Sequence, residues 1–362
     1  MQTLGYGVIG CGRVSSRHMD AAETVPGLKL VAIADANASK VQSVAGDRSS
    51  NPTAYTDYRE LLADDAVDVV VIAVPTHLHA EVAVAAAEAG KHIYCEKAMA
   101  PTLKECRQMI SATDDAGVKL MIGQSTRYRK PFMQARRLIE RGEIGDVVAV
   151  DASFSGVATT KDDVPEDFWR FKKGAQGHGY VVNFGCHYID TSRFLAGQDP
   201  AAITALIDNR FSQGVIPEDQ FVITAKCRDK AIITIGLYGT PEHQPAPYQG
   251  YTVHGTEGVI GAYWRPDKLV ISKGGQETTD ITIDSDLQEH DCWYRLHRDF
   301  REAIIEDETP PITGRDGMLN VQWALGAYLA DERRQWIDLP LGPEYYEYSG
   351  PTLHDTIPPA ND

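Results

Sequence analysis

LGYGVIGCGRVSSRH, residues 4–18, decides how the rest of the chain is read. It opens as an apolar, β-rich run, passes through Gly10 and Gly12, and enters a segment with helical spacing from Arg13 to Thr24. Gly10, Gly12 and Ser15 fit G-x-G-x-x-G with a small residue in the last place. The first glycine makes a tight turn, the second lets backbone approach a pyrophosphate, and the third position must be small for the helix to pack on the strand. The helix N-terminus then offers free N–H groups and a positive dipole end to phosphates. Alone the triplet is a weak signal; between a strand and a helix, at the head of a strand–helix series, it is a specific one. Gly10, Gly12, Arg13 and Val14 are therefore candidate cofactor contacts.

Working outward, LKLVAIAD (28–35) and VDVVVIAV (67–74) read as strands, HAEVAVAAAEAG (79–90) as an Ala-rich helix stopped by Gly90, HIYCE (92–96) as a strand, TLKECRQMISATDDAG (102–117) as a helix and VKLMIG (118–123) as a strand. Near-continuous apolar strands alternating with helices predict a parallel sheet covered on both faces, and right-handed crossovers make it doubly wound. Asp35 ends the second strand, where an acidic side chain takes ribose hydroxyls and repels a 2′-phosphate, which predicts NAD over NADP. Asn37, Ser39 and Lys40 follow closely enough to soften that preference.

The pattern changes after Gly123. A helix is expected near 131–141, a strand at 147–154 and a helix near 181–196. The runs AITALID, DQFVITAKC, AIITIGLYG, YQGYTVHG, GVIGAYW and KLVISK follow, separated by turn residues, and predict a mostly antiparallel sheet of six or so strands. A last helix is expected at about 315–334. The fold class is thus α/β, with a dinucleotide domain at 1–123 and a substrate-binding and oligomerisation domain at 124–362.

The composition, 43% hydrophobic and 24% charged, is that of a globular protein, and no apolar run approaches the length of a membrane span. A net charge of −16 without basic runs argues against a nucleic-acid partner. Six scattered cysteines without a CxxC pair argue against structural zinc and a disulfide framework. With no visible signal peptide, a cytoplasmic location is expected. No metal-ligand spacing or serine-nucleophile elbow is present.

Two distant segments carry the chemistry. Pro75, Thr76, His77 and His79 follow the third strand, and Glu96 and Lys97 follow the fourth, so all six belong at the carboxyl edge of the sheet, where ligands bind. They are candidate cofactor contacts. Lys97 is also a candidate acid/base, because a lysine beside an oxidised nicotinamide gives up its proton more readily. The second segment is GHGYVVNFGCHYID (177–190), in which Asn183, His187 and Asp190 fall at i, i+4 and i+7 on one helical stripe. His187 is the second candidate acid/base, and Asp190 is expected to hold one of its ring nitrogens. Arg127, Tyr128, Trp169 and Arg170, with Asn183 and His187, are candidate substrate contacts, since aromatic side chains offer flat apolar faces to a ligand.

VIGCGRVSSRH (8–18), CEKAMA (95–100), GHGYVVNFGCHYID (177–190), Trp169–Arg170 and HGTEGVIG (254–261) together resemble the glucose–fructose oxidoreductase/inositol dehydrogenase (Gfo/Idh/MocA) family over nearly the whole chain. The resemblance implies an N-terminal Rossmann domain and a C-terminal α/β domain whose open sheet commonly builds dimers or tetramers. It also implies a catalytic lysine in the E-K-P block, here Lys97, and a catalytic histidine in the D-x-G-x-H block, here His187. Two positions depart from the pattern. Ala98 stands where the family usually has proline, and Asn183 where it usually has aspartate. Asn183 cannot accept a proton, so the base role falls to Lys97, His187 or both. The N-x-G-x-H form resembles members acting at C3 of pyranoses, which points to oxidation of a glucoside or related sugar to a 3-keto sugar. The alternatives are an inositol or polyol dehydrogenase, a relative that hydrolyses glycosides through transient NAD oxidation, and an NAD-bound sugar sensor without turnover.

Overall fold

The computed structural model describes residues 2–158, 179–212, 216–240 and 249–351. They form two compact units. The first takes Met1–Ser125 and Asp291–Leu319, the second Thr126–His290 and Asn320–Asp362.

The first unit is built on β1 (Leu4–Ile9), β2 (Leu28–Ala34), β3 (Thr53–Tyr55), β4 (Val69–Ile72), β5 (His92–Cys95) and β6 (Leu120–Ile122). The strands pair in parallel in the order β3-β2-β1-β4-β5-β6. Between them run α1 (Ser15–Thr24), α2 (Ala38–Gly46), α3 (Tyr58–Leu62), α4 (His79–Glu88) and α5 (Leu103–Ala116). Every residue of β1 and β4 is buried, as central strands covered on both faces require. Local signals set the ends of α5. The Thr102 hydroxyl accepts from the Glu105 N–H while the Glu105 carboxylate accepts from the Thr102 N–H, and Gly117 closes the helix at φ 66°. The strand order reverses between β1 and β4, and the crevice at their carboxyl ends is where such sheets bind ligands. The elements β3 and α3 were not foreseen because they are too short to show a period, and α2 because only Val41 of its residues is buried, which leaves no apolar stripe.

The second unit contains α6 (Lys130–Glu140), β7 (Val147–Val157) and α7 (Cys186–Ala196), which continues from a π-helical turn at Val181–Gly185. Then come β8 (Pro200–Asp208), β9 (Gln220–Cys227), β10 (Ile232–Thr240), β11 (Gln249–Gly255), β12 (Gly258–Arg265), β13 (Asp267–Lys273), β14 (Thr279–Asp280) and α8 (Ser285–Gln288). After α9 (Cys292–Ile305) and α10 (Gly314–Arg333) the chain adds β15 (Ile337–Asp338). Among the described residues the sheet has nine strands, ordered β14-β13-β12-β11-β7-β10-β9-β8-β15, and only their β7–β10 pair is parallel. Six or so strands were expected; the two-residue edges β14 and β15 carry too little pattern to be seen. Along β10, buried Ile233, Ile235 and Leu237 alternate with exposed Ile232 and Tyr238. α7 lies on the covered face, where the Tyr188 ring stacks on Phe154 at 3.7 Å.

One expectation needs amending. A single break near residue 123 does not describe the chain, because Asp291–Leu319, including the unforeseen α9, belongs to the first unit. The reason is packing: Leu296, Phe300 and Ala303 of α9 are buried, and His297 reaches His18 of α1.

Candidate active site

In the first unit the glycine turn has the geometry its residue types require. Gly10 adopts φ 96°, and a Cβ there would lie 2.5 Å from the Ala73 carbonyl oxygen, so no other residue fits. A Cβ on Gly12 would meet nothing within 4 Å, so its side faces open space into which a pyrophosphate can come close to backbone. Ser15, in place of the third glycine, is buried and donates its hydroxyl to the Gly12 carbonyl at 2.6 Å. Arg13 is exposed and Val14 half-buried beside it.

At the end of β2, Asp35 accepts from the N–H groups of Cys11 (2.8 Å) and Asn37 (2.9 Å), and Lys40 Nζ lies 3.2 Å from its carboxylate. Burial works to raise its pKa, but the Asn37 and Cys11 N–H groups and Lys40 outweigh it and hold the carboxylate below its ordinary value. Asp35 is thus a fixed anion beside the glycine turn, suited to accept ribose hydroxyls. These features fit a dinucleotide on chemistry alone.

The two loops after β4 and β5 are tied together from inside. Pro75 and His77 are half-exposed in the turn that includes Thr76–Leu78. His79, by contrast, is buried, with Nδ1 3.0 Å from the Ala98 carbonyl and Nε2 2.9 Å from that of Val74. The expectation that His79 flanks the cofactor is corrected: its ring fastens the lysine turn to the β4 loop. Glu96 is corrected likewise. It points inward, its Oε1 3.1 Å from His18 Nε2 and its Oε2 accepting from the Lys97 N–H at 3.3 Å. His18 Nδ1 lies 2.9 Å from His297 Nε2, and both rings are fully buried. Burial, then the neighbouring His18, pulls the His297 pKa far down, so that ring is neutral. Lys97 itself is half-exposed between buried neighbours, and the Lys97–Ala98 peptide is cis.

In the second unit, Asn183 and His187 lie half-exposed on the π-helical turn and α7, whereas Asp190 is completely buried. The predicted three-residue stripe breaks at Asp190: three residues past His187 in the regular helix α7, it stands about 60° round the helix, on the buried side. Asp190 does not orient His187. It accepts two hydrogen bonds from Arg127, one from Nε at 2.6 Å and one from Nη2, and a third from Asn320 Nδ2 at 2.9 Å. Arg193 Nη1 donates to the Asn320 Oδ1 at 3.1 Å and extends the chain to Asp199. Arg127, expected in the substrate wall, is instead committed to this buried pair, and Tyr128 beside it is buried too. Trp169 and Arg170 lie outside the described residues.

Sequence reasoning missed His297 and the full role of His18. They meet across 279 positions, and nothing local to either signals the contact. Among the described residues no group of three or more His, Cys, Asp or Glu side chains could hold a metal ion, and no helix is long and apolar enough to cross a membrane.

A doubly wound parallel sheet with this glycine turn and a polar helix on a second α/β unit defines a dinucleotide-linked oxidoreductase. Residues 4–124 match the model of an oxidoreductase family's NAD-binding Rossmann fold, and residues 136–339 that of its C-terminal alpha/beta domain, so the chain belongs to the Gfo/Idh/MocA family. It is 30% identical over 302 residues to levoglucosan dehydrogenase of Pseudarthrobacter phenanthrenivorans, covering 75% of this chain and 77% of that one. It is also 30% identical over 324 residues to inositol 2-dehydrogenase of Rhizobium meliloti, covering 87% and 93%. A structure of levoglucosan dehydrogenase in complex with NADH and L-sorbose matches 94% of this chain and 100% of its own, with 26% identity and a TM-score of 0.84. The chain is an NAD(P)-dependent dehydrogenase of the sugar and polyol kind.

Proposed function

We propose that this enzyme uses NAD to oxidise C3 of a glucoside or related pyranose to a 3-keto sugar, with Lys97 and His187 as its acid/base groups. The carrying observation is the chemistry exposed on the second unit's helix. Asn183 and His187 are accessible, whereas the only nearby aspartate of the motif, Asp190, is closed off by Arg127 and Asn320. A neutral amide beside an imidazole donates to and accepts from sugar hydroxyls without competing for their protons. Asn183 therefore orients a hydroxyl, and Lys97 or His187 takes its proton. Gly10, Gly12, Val14 and Asp35 would hold the dinucleotide, with Pro75, Thr76 and His77 near its nicotinamide end. Bound there, the dinucleotide would supply hydride-accepting chemistry at its nicotinamide end. The likeness to enzymes named for levoglucosan supports a sugar, and Asp35 supports NAD, because a fixed carboxylate repels a 2′-phosphate.

A homodimer or homotetramer is part of the same reading. Leu206, Ile232 and Tyr238 are 74%, 52% and 47% exposed on β8 and β10, an apolar sheet face of the kind that associates.

A panel of glycosides, free sugars and inositols, followed by NADH absorbance with NAD and with NADP, tests the proposal. Glycosides should give the highest kcat/KM with NAD, and the product should carry a ketone at C3. Faster turnover of inositols than of every sugar would replace the substrate reading, and a preference for NADP would remove the role given to Asp35.

A further inference from the structure

We infer that Glu218 is the positioning residue of the catalytic helix: its buried side chain fastens the π-helical turn that carries Asn183 and leads into His187. This rests on the acid/base role proposed for His187. Glu218 is 2% exposed, just before β9. Its Oε1 accepts from the Val181 N–H at 2.9 Å and from the Tyr328 hydroxyl at 2.5 Å, while its main-chain carbonyl accepts from the Tyr180 N–H at 3.4 Å. Val181 is the first residue of the π-helical turn, and the first N–H groups of a helix have no partners within it. A carboxylate placed there meets both an unfilled donor and the positive end of the helix.

The fit around the carboxyl group is close. A Cβ added to Gly179 would sit 1.8 Å from Glu218 Oε2, so the chain entering the helix passes close against the carboxylate. That Oε2 is buried and has no hydrogen-bond partner among the described residues. An orphaned buried oxygen has a cost that an apolar residue would avoid, and this fits a group retained for what it holds. The other end of the segment is held by Asp190, through Asn320 of α10. Tyr328 belongs to the same helix, so α10 supplies a polar tie at each end of the stretch Val181–Asp190.

Burial, the largest influence, lifts the Glu218 pKa to about 7, against the Tyr328 hydroxyl and the Val181 N–H, which lower it. Among the described residues, the titratable groups facing it are Tyr328 from α10 and Asp219 beside it in the chain. Asp219 accepts from the N–H groups of Arg210, Phe211 and Ser212. The bond to Val181 is charge-assisted while Glu218 is ionised and weaker once it is protonated. The grip on the turn therefore loosens as pH falls through neutrality.

The test compares wild type with Glu218→Gln and Tyr328→Phe, each checked for native circular dichroism. In wild type, kcat for the best sugar should fall as pH drops below about 7. Glu218→Gln should abolish that part of the acid limb and lower kcat about tenfold at higher pH, with KM for NAD unchanged. Tyr328→Phe removes a donor that lowers the Glu218 pKa, so it should move the limb to higher pH. The same proteins labelled with 13C-histidine give a readout that needs no turnover. The His187 signal, assigned with His187→Gln, should shift with the ionisation of Glu218 in wild type and lose that step in Glu218→Gln. An acid limb and a His187 titration identical in all three proteins would overturn the assignment. Absence of any sugar turnover by wild type would defeat the proposed function instead, leaving the histidine spectra to decide on Glu218.

Discussion

Lys97 and the helix of His187 are braced by buried polar groups of opposite electrical character. Behind Lys97, a single carboxylate, Glu96, is backed by the rings of His18 and His297, and His79 fastens the same turn through carbonyl oxygens. Burial lowers the pKa of His79 and pulls that of His297 far down, so the His297 ring of this brace is neutral. Behind His187, a guanidinium and a carboxylate face each other in a fully charged pair, Arg127 and Asp190, and a second carboxylate, Glu218, holds the start of the helix. The two designs fail differently. Deleting one neutral partner removes a hydrogen bond; deleting one member of a buried ion pair strands a charge, which is worse by several kcal/mol.

The largest expected effect tests the groups being braced. Lys97→Ala should lower kcat by about 10²–10⁴, the usual weight of a general acid/base, while leaving NAD binding near its wild-type affinity. Stopped-flow turnover and NAD titration by fluorescence check both parts. Activity within tenfold of wild type would mean that the proton goes elsewhere.

Next comes the charged brace. Arg127→Met should cost about 3–5 kcal/mol in urea unfolding, because Asp190 keeps only Asn320 as a donor. The double variant Arg127→Met, Asp190→Leu should recover only part of that loss, since the stranded charge is gone but the buried Asn320 amide loses its acceptor, at about 1–3 kcal/mol. If the double variant is no more stable than the single one, the pair is not an isolated charge couple. The neutral brace should be weaker: His297→Phe should cost about 1–3 kcal/mol by the same measurement.

The contrast also explains how much could be read from the chain. The placement of the glycine turn, Asp35 and the strand ends that carry His77 and Lys97 was legible because it depends on local backbone and on position along a strand. The inward turn of Glu96 and His79 was not, since it depends on His18, His297 and carbonyls brought together by folding. On the second unit, helical spacing placed Asn183 and His187 on one face. It misplaced Asp190, because the edge of that stripe turns inward and the partner that closes it off, Arg127, lies 63 positions away. The polar ends of α10 were silent for the same reason: Asn320 and Tyr328 have meaning only through their partners.

The smallest expected effect separates the two braces by pH. His297 is neutral in the folded chain and has an ordinary value near 6.5 when unfolded. Below that value the unfolded chain binds the extra proton, so the contribution of His297 to stability is complete above about pH 6.5 and is lost as pH falls. Glu218 runs the other way. Its folded value of about 7 stands above the ordinary glutamate value of 4.5, so the folded chain holds the extra proton between them. Its contribution is complete below about 4.5 and declines as pH rises toward 7. The Tm of His297→Phe relative to wild type should therefore rise as pH falls from about 7 to 5, because the variant has no ring to charge. The Tm of Glu218→Gln relative to wild type should rise as pH climbs from about 5 to 8, because the variant has no carboxylate to ionise. Changes of about one to three degrees are expected, measurable by calorimetry at each pH. Parallel curves for either variant and wild type would mean that the residue titrates alike in the folded and unfolded chain, and the difference in electrical character between the two braces would then not extend to it.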